Sequence, residues 1–230
     1  MVYNTHRNMK APHLTISRPV TRANTLRAYQ LNEPCPVKYD GTAKSIIDLI
    51  EWFNVEKSAR YAATKESTFC NIYAHDLAGA MGAFLPRVWW NQANVKRAEA
   101  GEDLPVVYPR NGVAGTIVEM NANSIYEWFA KYSDRFGWRE VKSKTESQNL
   151  ANAGKCIIMV GANANRSRSG HITVVAPEHG NFKAAGSTGI GNIRTVIVPL
   201  QSQAGRTNWK YRAFDWQKGH EPIRYYVHGA

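Results

Sequence analysis

A cysteine and a histidine about a hundred residues apart are the two side chains of this sequence best suited to do chemistry together. Cys70 lies in the segment Ser67-Thr68-Phe69-Cys70-Asn71-Ile72-Tyr73. A Ser or Thr followed by apolar residues at helical spacing predicts a capped amphipathic helix that starts here. The positive end of a helix favours the thiolate, which is the nucleophilic form of cysteine. Cys70 is therefore a candidate nucleophile, and a buried, unreactive cysteine is the alternative.

A predicted strand with a histidine at its first position offers the matching base. The run from Gly170 to Pro177 alternates in the manner of a strand, with His171, Thr173 and Val175 on one face. A helix-borne cysteine early in the chain and a strand-borne histidine late in the chain follow the order of papain-like enzymes. His171 is the candidate base, and a purely structural histidine is the alternative.

A polar residue after the next turn is expected to orient His171. If a turn at residues 177–181 pairs position 176 with position 182, Ser187 falls opposite His171. The following loop holds two rivals, Thr188 and Asn192. Glu178 is excluded, because at about 3.3 Å per residue it lies roughly 20 Å or more along the strand from His171. A backbone carbonyl or a side chain from another strand stays open as an orienting group.

The remaining periodicity predicts the elements that must hold this pair. Helical stripes begin at Ala43, at the Cys70 segment, near Asn123 or Ser124, and near Glu146. Strands are expected at residues 156–161, 171–176, 182–187, 194–199 and 223–228. Helices first and strands later indicate an α+β fold with a mainly antiparallel β-sheet. The order of the cysteine and the histidine makes the expected fold papain-like, with N-terminal helices packed on that sheet.

Composition and charge divide the 230 residues into two parts. Residues 1–42 are basic, contain four prolines and predict an extended arm, either a loosely packed tail or a docking segment for a carrier or a wall polymer. Residues 43–230 are long enough for one buried core and predict the catalytic domain. The three cysteines form no Cys-x-x-Cys pair and no Cys/His cluster, so neither a disulfide scaffold, a metal nor another cofactor is expected.

Three residues are candidates for substrate contact. Residues 85–122 are rich in proline and predict loops, and two adjacent tryptophans in such a loop must either expose a ring or form a hydrophobic plug. The candidates are Trp89 and Trp90 in this segment and Asn71 beside the nucleophile. The glycine-rich run Gly186–Asn192 lacks the Gly-Lys-Ser/Thr ending of a phosphate-binding loop and predicts a tight loop at the border of the cleft.

The formal net charge of +11 predicts attraction to a polyanion, either nucleic acid or the bacterial cell wall. No aromatic RNA-binding signature accompanies the basic residues. No stretch approaches the roughly 20 apolar residues of a membrane helix, and the start of the chain lacks the apolar core of a signal peptide. We therefore expect synthesis in the cytoplasm, and action in the periplasm or cell wall after delivery by a secretion machine or phage lysis.

Four stretches within about residues 45–200 carry a family resemblance. They are Phe69-Cys70-Asn71-Ile72-Tyr73-Ala74-His75-Asp76, Ala80-Met81-Gly82, Ala122-Asn123-Ser124-Ile125-Tyr126-Glu127-Trp128 and Gly170-His171-Ile172-Thr173-Val174-Val175. Together they resemble papain-like bacterial and phage cell-wall hydrolases of the NlpC and CHAP kind. The resemblance implies Cys70 as nucleophile, His171 as base, and an amide of the peptidoglycan stem peptide as the bond attacked. It also implies an oxyanion hole that uses the Cys70 backbone N–H.

The resemblance leaves the bond and the biological setting open. Many NlpC enzymes carry Asp-Cys-Ser or Asp-Cys-Gly where this chain has Phe69-Cys70-Asn71. The expected function is a peptidoglycan amidase or endopeptidase, as an antibacterial secreted effector or a phage endolysin. Its expected partners are peptidoglycan and, for an effector, a secretion-system carrier and an immunity protein. The alternatives are a basic nucleic-acid-binding or phage structural protein without catalysis, and a papain-like transferase or deamidase that acts on protein.

Overall fold

The computed structural model describes residues 14–16, 35–109, 112–189 and 194–229. These residues form an α+β fold in which the paired strands are antiparallel. The helices are α1 (Ala43–Phe53), α2 (Cys70–Ala80), α3 (Gln92–Glu99), α4 (Ala122–Tyr132) and α5 (Lys144–Asn152), with a 3₁₀ helix at Ser133–Phe136. The strands are β1 (Val88–Trp90), β2 (Ile117–Glu119), β3 (Trp138–Val141), β4 (Cys156–Gly161), β5 (His171–Val175), β6 (Ala185–Thr188), β7 (Arg194–Val198), β8 (Gln201–Gln203), β9 (Trp209–Arg212) and β10 (Arg224–His228).

A six-stranded sheet in the order β3-β10-β4-β5-β8-β9 forms the centre of the fold. Strand β5 lies inside this sheet, between β4 and β8, and its first residue His171 stands opposite Gly161. Strands β1 and β2 form one two-stranded sheet, and β6 and β7 form another. The predicted α+β class with an antiparallel sheet is confirmed.

The predicted hairpin between β5 and β6 is wrong. Strand β5 pairs with β8, with Val174 opposite Ser202, and the next backbone donor, the N–H of Ala176, is already taken by the Leu200 carbonyl at 2.8 Å. Strand β6 therefore has no place beside β5 and pairs with β7 in its own ribbon. This ribbon packs against α5, where the Val196 N–H donates to Thr145 Oγ1 at 2.9 Å.

Helix α1 confirms the predicted stripe, and the later helices differ from the predictions at their ends. Thr42 caps α1 by accepting a hydrogen bond from the Ser45 N–H at 3.2 Å. Asn121, rather than Asn123 or Ser124, caps α4. Residues 85–122, which the prolines predicted to be loops, contain β1, α3 and β2. The strand pairing of β1 with β2 stabilises this segment in a way that its local composition does not reveal.

The two faces of the sheet pack against different helices, because successive strand residues point to opposite sides. The face toward α1, α2 and α4 presents four apolar side chains from β4 and β5, namely Ile158, Val160, Ile172 and Val174. The other face packs Ile157, Met159 and Val175 against Ala151 and Trp216. A hydrogen bond of 2.6 Å between the hydroxyl groups of Tyr73 and Ser202 joins α2 to β8. The helix that begins at Cys70 is therefore anchored to the strand beside β5.

A buried ion pair ties α2 to the segment that precedes it. The Arg60 guanidinium donates to both carboxylate oxygens of Asp76, at 2.6 and 3.0 Å. The Tyr61 hydroxyl donates to the same carboxylate at 2.9 Å. The Asp76 side chain is 2% exposed and the Arg60 side chain is 10% exposed. Each of these buried charges is therefore compensated by the other, and removing one would leave the other buried without its partner.

Only part of the predicted N-terminal arm lies within the described residues. Leu14 and Ile16 are buried in the main core, and Cys35, Val37 and Tyr39 pack against it. Residues 1–13 and 17–34 lie outside the described part of the chain. The described ranges contain no helix that is both long enough and apolar enough to cross a membrane.

Candidate active site

Helix α2 begins at Cys70, as predicted, but the predicted cap is wrong. The N-cap residue is Phe69, and no side chain caps the helix through a hydrogen bond. Ser67 instead closes a turn with Thr64, in which each residue's backbone N–H donates to an oxygen of the other, at 2.9 and 3.0 Å. The first turn of α2 therefore begins without the serine or threonine oxygen that the sequence offered.

The Cys70 thiol is buried, and its side chain faces the sheet. Cys70 is 6% exposed and belongs to the main core. Burial raises the pKa of the thiol to about 11, and the backbone N–H groups of Ile172, Asn71 and Cys70 itself oppose this shift. The helix end acts in the predicted direction, but desolvation outweighs it, so the resting cysteine is a neutral thiol.

The Ile172 backbone N–H shows where the thiol lies. Ile172 immediately follows His171 in β5, and its backbone N–H lowers the pKa of the Cys70 thiol, so the sulfur lies near this amide. The predicted nucleophile and the predicted base therefore lie near the same end of the same strand. Among the hydrogen bonds of the described residues, none joins the thiol directly to the imidazole. A catalytic role of the pair would require a thiol–imidazole contact, and such contacts often tighten only when a ligand binds.

Gln203 is the polar partner of His171. The imidazole Nε2 forms a short hydrogen bond with Gln203 Oε1. The Gln203 amide nitrogen donates to the Thr207 carbonyl at 3.2 Å, which fixes the amide with its oxygen toward the imidazole. A carboxamide oxygen only accepts, so Nε2 carries the proton and Nδ1 carries the lone pair. His171 is thereby held in the tautomer that can take a proton at Nδ1.

The surroundings of His171 keep it neutral. Burial lowers the pKa of the imidazole to about 4, the Gln203 hydrogen bond opposes this shift, and nearby His220 adds to it. The Trp216 ring stands edge-on to the imidazole, with 4.8 Å between centroids. Gly161 lies opposite His171, and a side-chain carbon there would come within 3.0 Å of the Trp216 ring. The glycine thus makes room for Trp216 beside the histidine.

The loop before β5 is held by Asn123 of α4. Its carboxamide nitrogen donates to the Arg168 carbonyl at 2.8 Å, and its oxygen accepts from the Asn163 N–H at 2.8 Å. Gly170 passes so close that a side-chain carbon there would lie 2.5 Å from the Asn123 oxygen. These contacts fix the point at which the chain enters β5 and therefore the position of His171.

Ser187 is not the partner of His171, and the prediction of a third group at this position is wrong. Ser187 lies in β6, opposite Thr195 of β7, and not in the six-stranded sheet. Thr188 ends the same strand, and Asn192 lies outside the described residues. Glu178 is correctly excluded, since its carboxylate accepts two hydrogen bonds from Arg194 at 2.6 Å.

The predicted substrate contacts at the paired tryptophans are also wrong. Trp89 and Trp90 lie in β1, and both are buried, at 5% and 7% exposure. Trp89 packs edge-on against Trp128, with 5.7 Å between ring centroids. The plug alternative therefore describes these residues. Asn71 is partly buried, and its amide donates to the Met120 carbonyl at 2.8 Å, which joins α2 to the start of α4.

Replacing Gln203 should move the pKa of His171 in a direction set by the new side chain. Gln203→Met removes the acceptor that favours imidazolium, so the pKa falls below its wild-type value; Gln203→Glu supplies a carboxylate and raises it. Titration of the His171 ring by NMR measures both shifts. Gln92→Met on exposed α3 is the matched control, and equal pKa values in all four proteins would contradict the assignment.

The described residues contain no group of three or more His, Cys, Asp or Glu side chains suited to a metal ion. The arrangement at the end of β5 has the groups that acyl transfer requires, since it combines a cysteine at a helix start, a histidine in a defined tautomer and an orienting amide. No protein-family model matches the chain, and no curated protein is significantly similar to it.

Proposed function

We propose that this protein is a papain-like cysteine amidase or endopeptidase that cleaves an amide bond in the stem peptide of peptidoglycan. The observation that carries the proposal is the position of Cys70 at the start of α2, against the residue that follows His171, whose ring Gln203 orients. Helix-borne cysteine, strand-borne histidine and side-chain amide are the three parts of a papain-like site.

The pKa directions support a particular order of proton transfer. Burial raises the pKa of Cys70 and lowers the pKa of His171, so both groups are neutral at rest. In the proposed mechanism Nδ1 of His171 takes the thiol proton as sulfur attacks the amide carbonyl, forming the carbon–sulfur bond. The imidazolium then gives this proton to the departing amine as the carbon–nitrogen bond breaks. Water hydrolyses the resulting thioester and regenerates the thiol.

The helix start offers donors for the tetrahedral intermediate. The N–H groups of Ile72 and Tyr73 already donate to the Phe69 carbonyl, each at 3.1 Å. The earlier N–H groups of Cys70 and Asn71 face the sulfur and lower the thiol pKa. These two amides are the proposed oxyanion donors.

The charge of the chain suits an acidic cell-wall substrate. The net charge is +11, and stem peptides carry free carboxylates. Opposite charges of this kind raise the rate of encounter at low ionic strength. Charge alone suits nucleic acid equally, and the Cys70, His171 and Gln203 arrangement is what favours an enzyme.

Digestion of purified peptidoglycan sacculi tests the proposal. Wild-type protein and Cys70→Ala are incubated with sacculi, and the released fragments are identified by mass spectrometry. We expect wild type alone to release stem-peptide fragments, whose masses identify the bond. If folded wild-type protein releases nothing, the wall-hydrolase proposal fails. Alkylation of Cys70 that then depends on His171 would favour a transferase or deamidase acting on protein.

A further inference from the structure

Two rows of side chains run from β5 to the edge of the sheet, on the face that carries His171. In the first row His171 bonds to Gln203, which stands directly opposite Trp209 of β9. In the second row Thr173 donates to Gln201 at 3.1 Å, and Gln201 stands opposite Arg212. Residues two apart on a strand point to the same face of the sheet. His171 and Thr173 are two apart in β5, and Gln201 and Gln203 are two apart in β8, so both rows lie on one face.

An irregularity in β9 places its two side chains together on this face. Gln201 and Gln203 are two residues apart in β8, whereas their partners Arg212 and Trp209 are three residues apart in β9. The register therefore shifts between the two pairs. An extra residue of this kind is a β-bulge, and bulges redirect side chains at sheet edges. Without it, Trp209 and Arg212 would point to opposite faces.

Arg212 is held between two aromatic rings at this edge. Its guanidinium carbon lies 5.3 Å from the centroid of Trp209 and 5.3 Å from the centroid of Phe214. The two rings meet edge-on, and Phe214 is 40% exposed. Cation–π contacts of this kind restrain the side chain while its N–H donors stay available.

The charge of Arg212 is not neutralised by the described residues around it. Its neighbour Lys210 pairs with Glu51 at 2.6 Å, whereas no described carboxylate lies within ion-pair distance of Arg212. Arg212 is exposed. A guanidinium in this position can bind a carboxylate through two parallel hydrogen bonds.

We propose that Trp209, Arg212 and Phe214 form a subsite that binds a free carboxylate of the substrate peptide; this inference rests on the proposed amidase function. Strand β9 is two strands from β5, and the register places Arg212 level with Val175, four residues along β5 from His171, so Arg212 lies about 16 Å from His171. An extended peptide covers this span in about five residues. Arg212 would therefore select peptides with a carboxylate about five residues from the bond that is cut. The partly exposed ring of Trp209 and the exposed ring of Phe214 would cover the neighbouring apolar part of the peptide.

Paired synthetic stem peptides test this subsite. One peptide carries free side-branch and terminal carboxylates, and the other carries carboxamides at the same positions. Hydrolysis by wild type, Arg212→Gln and Arg139→Gln is measured as separate kcat and KM values. Arg139 is the matched control, because it loses the same charge in β3 at the opposite edge of the sheet. Binding of both peptides to Cys70→Ala is measured by calorimetry, with and without Arg212→Gln.

We expect wild type to prefer the carboxylate peptide by about tenfold in kcat/KM, and Arg212→Gln to lose this preference mainly through KM. Arg139→Gln should retain it. Equal cleavage of both peptides by wild type, or equal behaviour of the two arginine variants, overturns the subsite and leaves the hydrolase proposal intact. Carboxylate binding that depends on Arg212 without any hydrolysis keeps the subsite and overturns the hydrolase. Absence of both binding and hydrolysis overturns both.

Discussion

Alanine at Cys70, at His171 and at both positions is expected to give three proteins with the same residual activity, each at least about 1,000-fold below wild type in kcat. The thiol attacks only if its proton has an acceptor, because burial raises its pKa to about 11. The imidazole in turn has no catalytic task without the thiol. Two groups that act as one unit lose their whole contribution when either is removed.

The measurement is single-turnover and steady-state hydrolysis of a soluble stem-peptide substrate by the four proteins. Cys156→Ala is the matched control, since Cys156 is equally buried, at 2% exposure, but lies in β4 away from the start of α2. It should retain wild-type kcat within about threefold, at a modest cost in stability. If the double variant is slower than wild type by the product of the two single-variant losses, the two residues act independently, and the proposed mechanism is wrong.

Asp76→Ala is expected to lower the free energy of unfolding by about 3–5 kcal/mol. The substitution leaves the Arg60 guanidinium buried without the carboxylate that accepts two of its hydrogen bonds. It also removes the acceptor of the buried Tyr61 hydroxyl. Since Asp76 and Cys70 lie on the same helix, the loss also loosens the helix that carries Cys70.

Urea denaturation of matched variants measures this cost. The double variant Arg60→Met with Asp76→Leu removes both charges and should recover most of the loss, because no unpaired charge remains buried. Asp48→Ala breaks the exposed pair with Lys44, whose side chains are 42% and 78% exposed, and should change stability by less than about 1 kcal/mol. An Asp76→Ala protein as stable as Asp48→Ala would show that the buried pair contributes little.

Local periodicity was sufficient to predict the elements that carry the cysteine and the histidine. The stripe of α1, the start of α2 at Cys70 and the alternation of β5 all depend on residues within one segment. The local sequence of each of these segments is therefore enough to determine its conformation. The prediction of His171 at the first position of β5 is confirmed.

The partner of His171 could not be predicted because it depends on pairing between distant strands. Strand β5 pairs with β8 across the inserted β6–β7 ribbon, so the orienting group is Gln203 and not Ser187. The sequence gives only a weak indication of Gln203, because Gln201 and Gln203 lie in a short polar segment whose composition is typical of a loop. The prediction that the helix end makes the Cys70 thiol more acidic is wrong for a related reason. Burial raises the pKa of the thiol, and the depth of burial depends on the helices and strands that cover α2.

The bare start of α2 has a cost in stability. An asparagine, aspartate or serine before a helix contributes about 0.5–2 kcal/mol to stability, and Phe69 gives up this contribution. The side-chain caps of α1, α3, α4 and α5 all accept a hydrogen bond from the third N–H of their helix, and the equivalent group in α2 is the Ile72 N–H. A capping side chain at position 69 would therefore strengthen the helix end without occupying the N–H groups of Cys70 and Asn71.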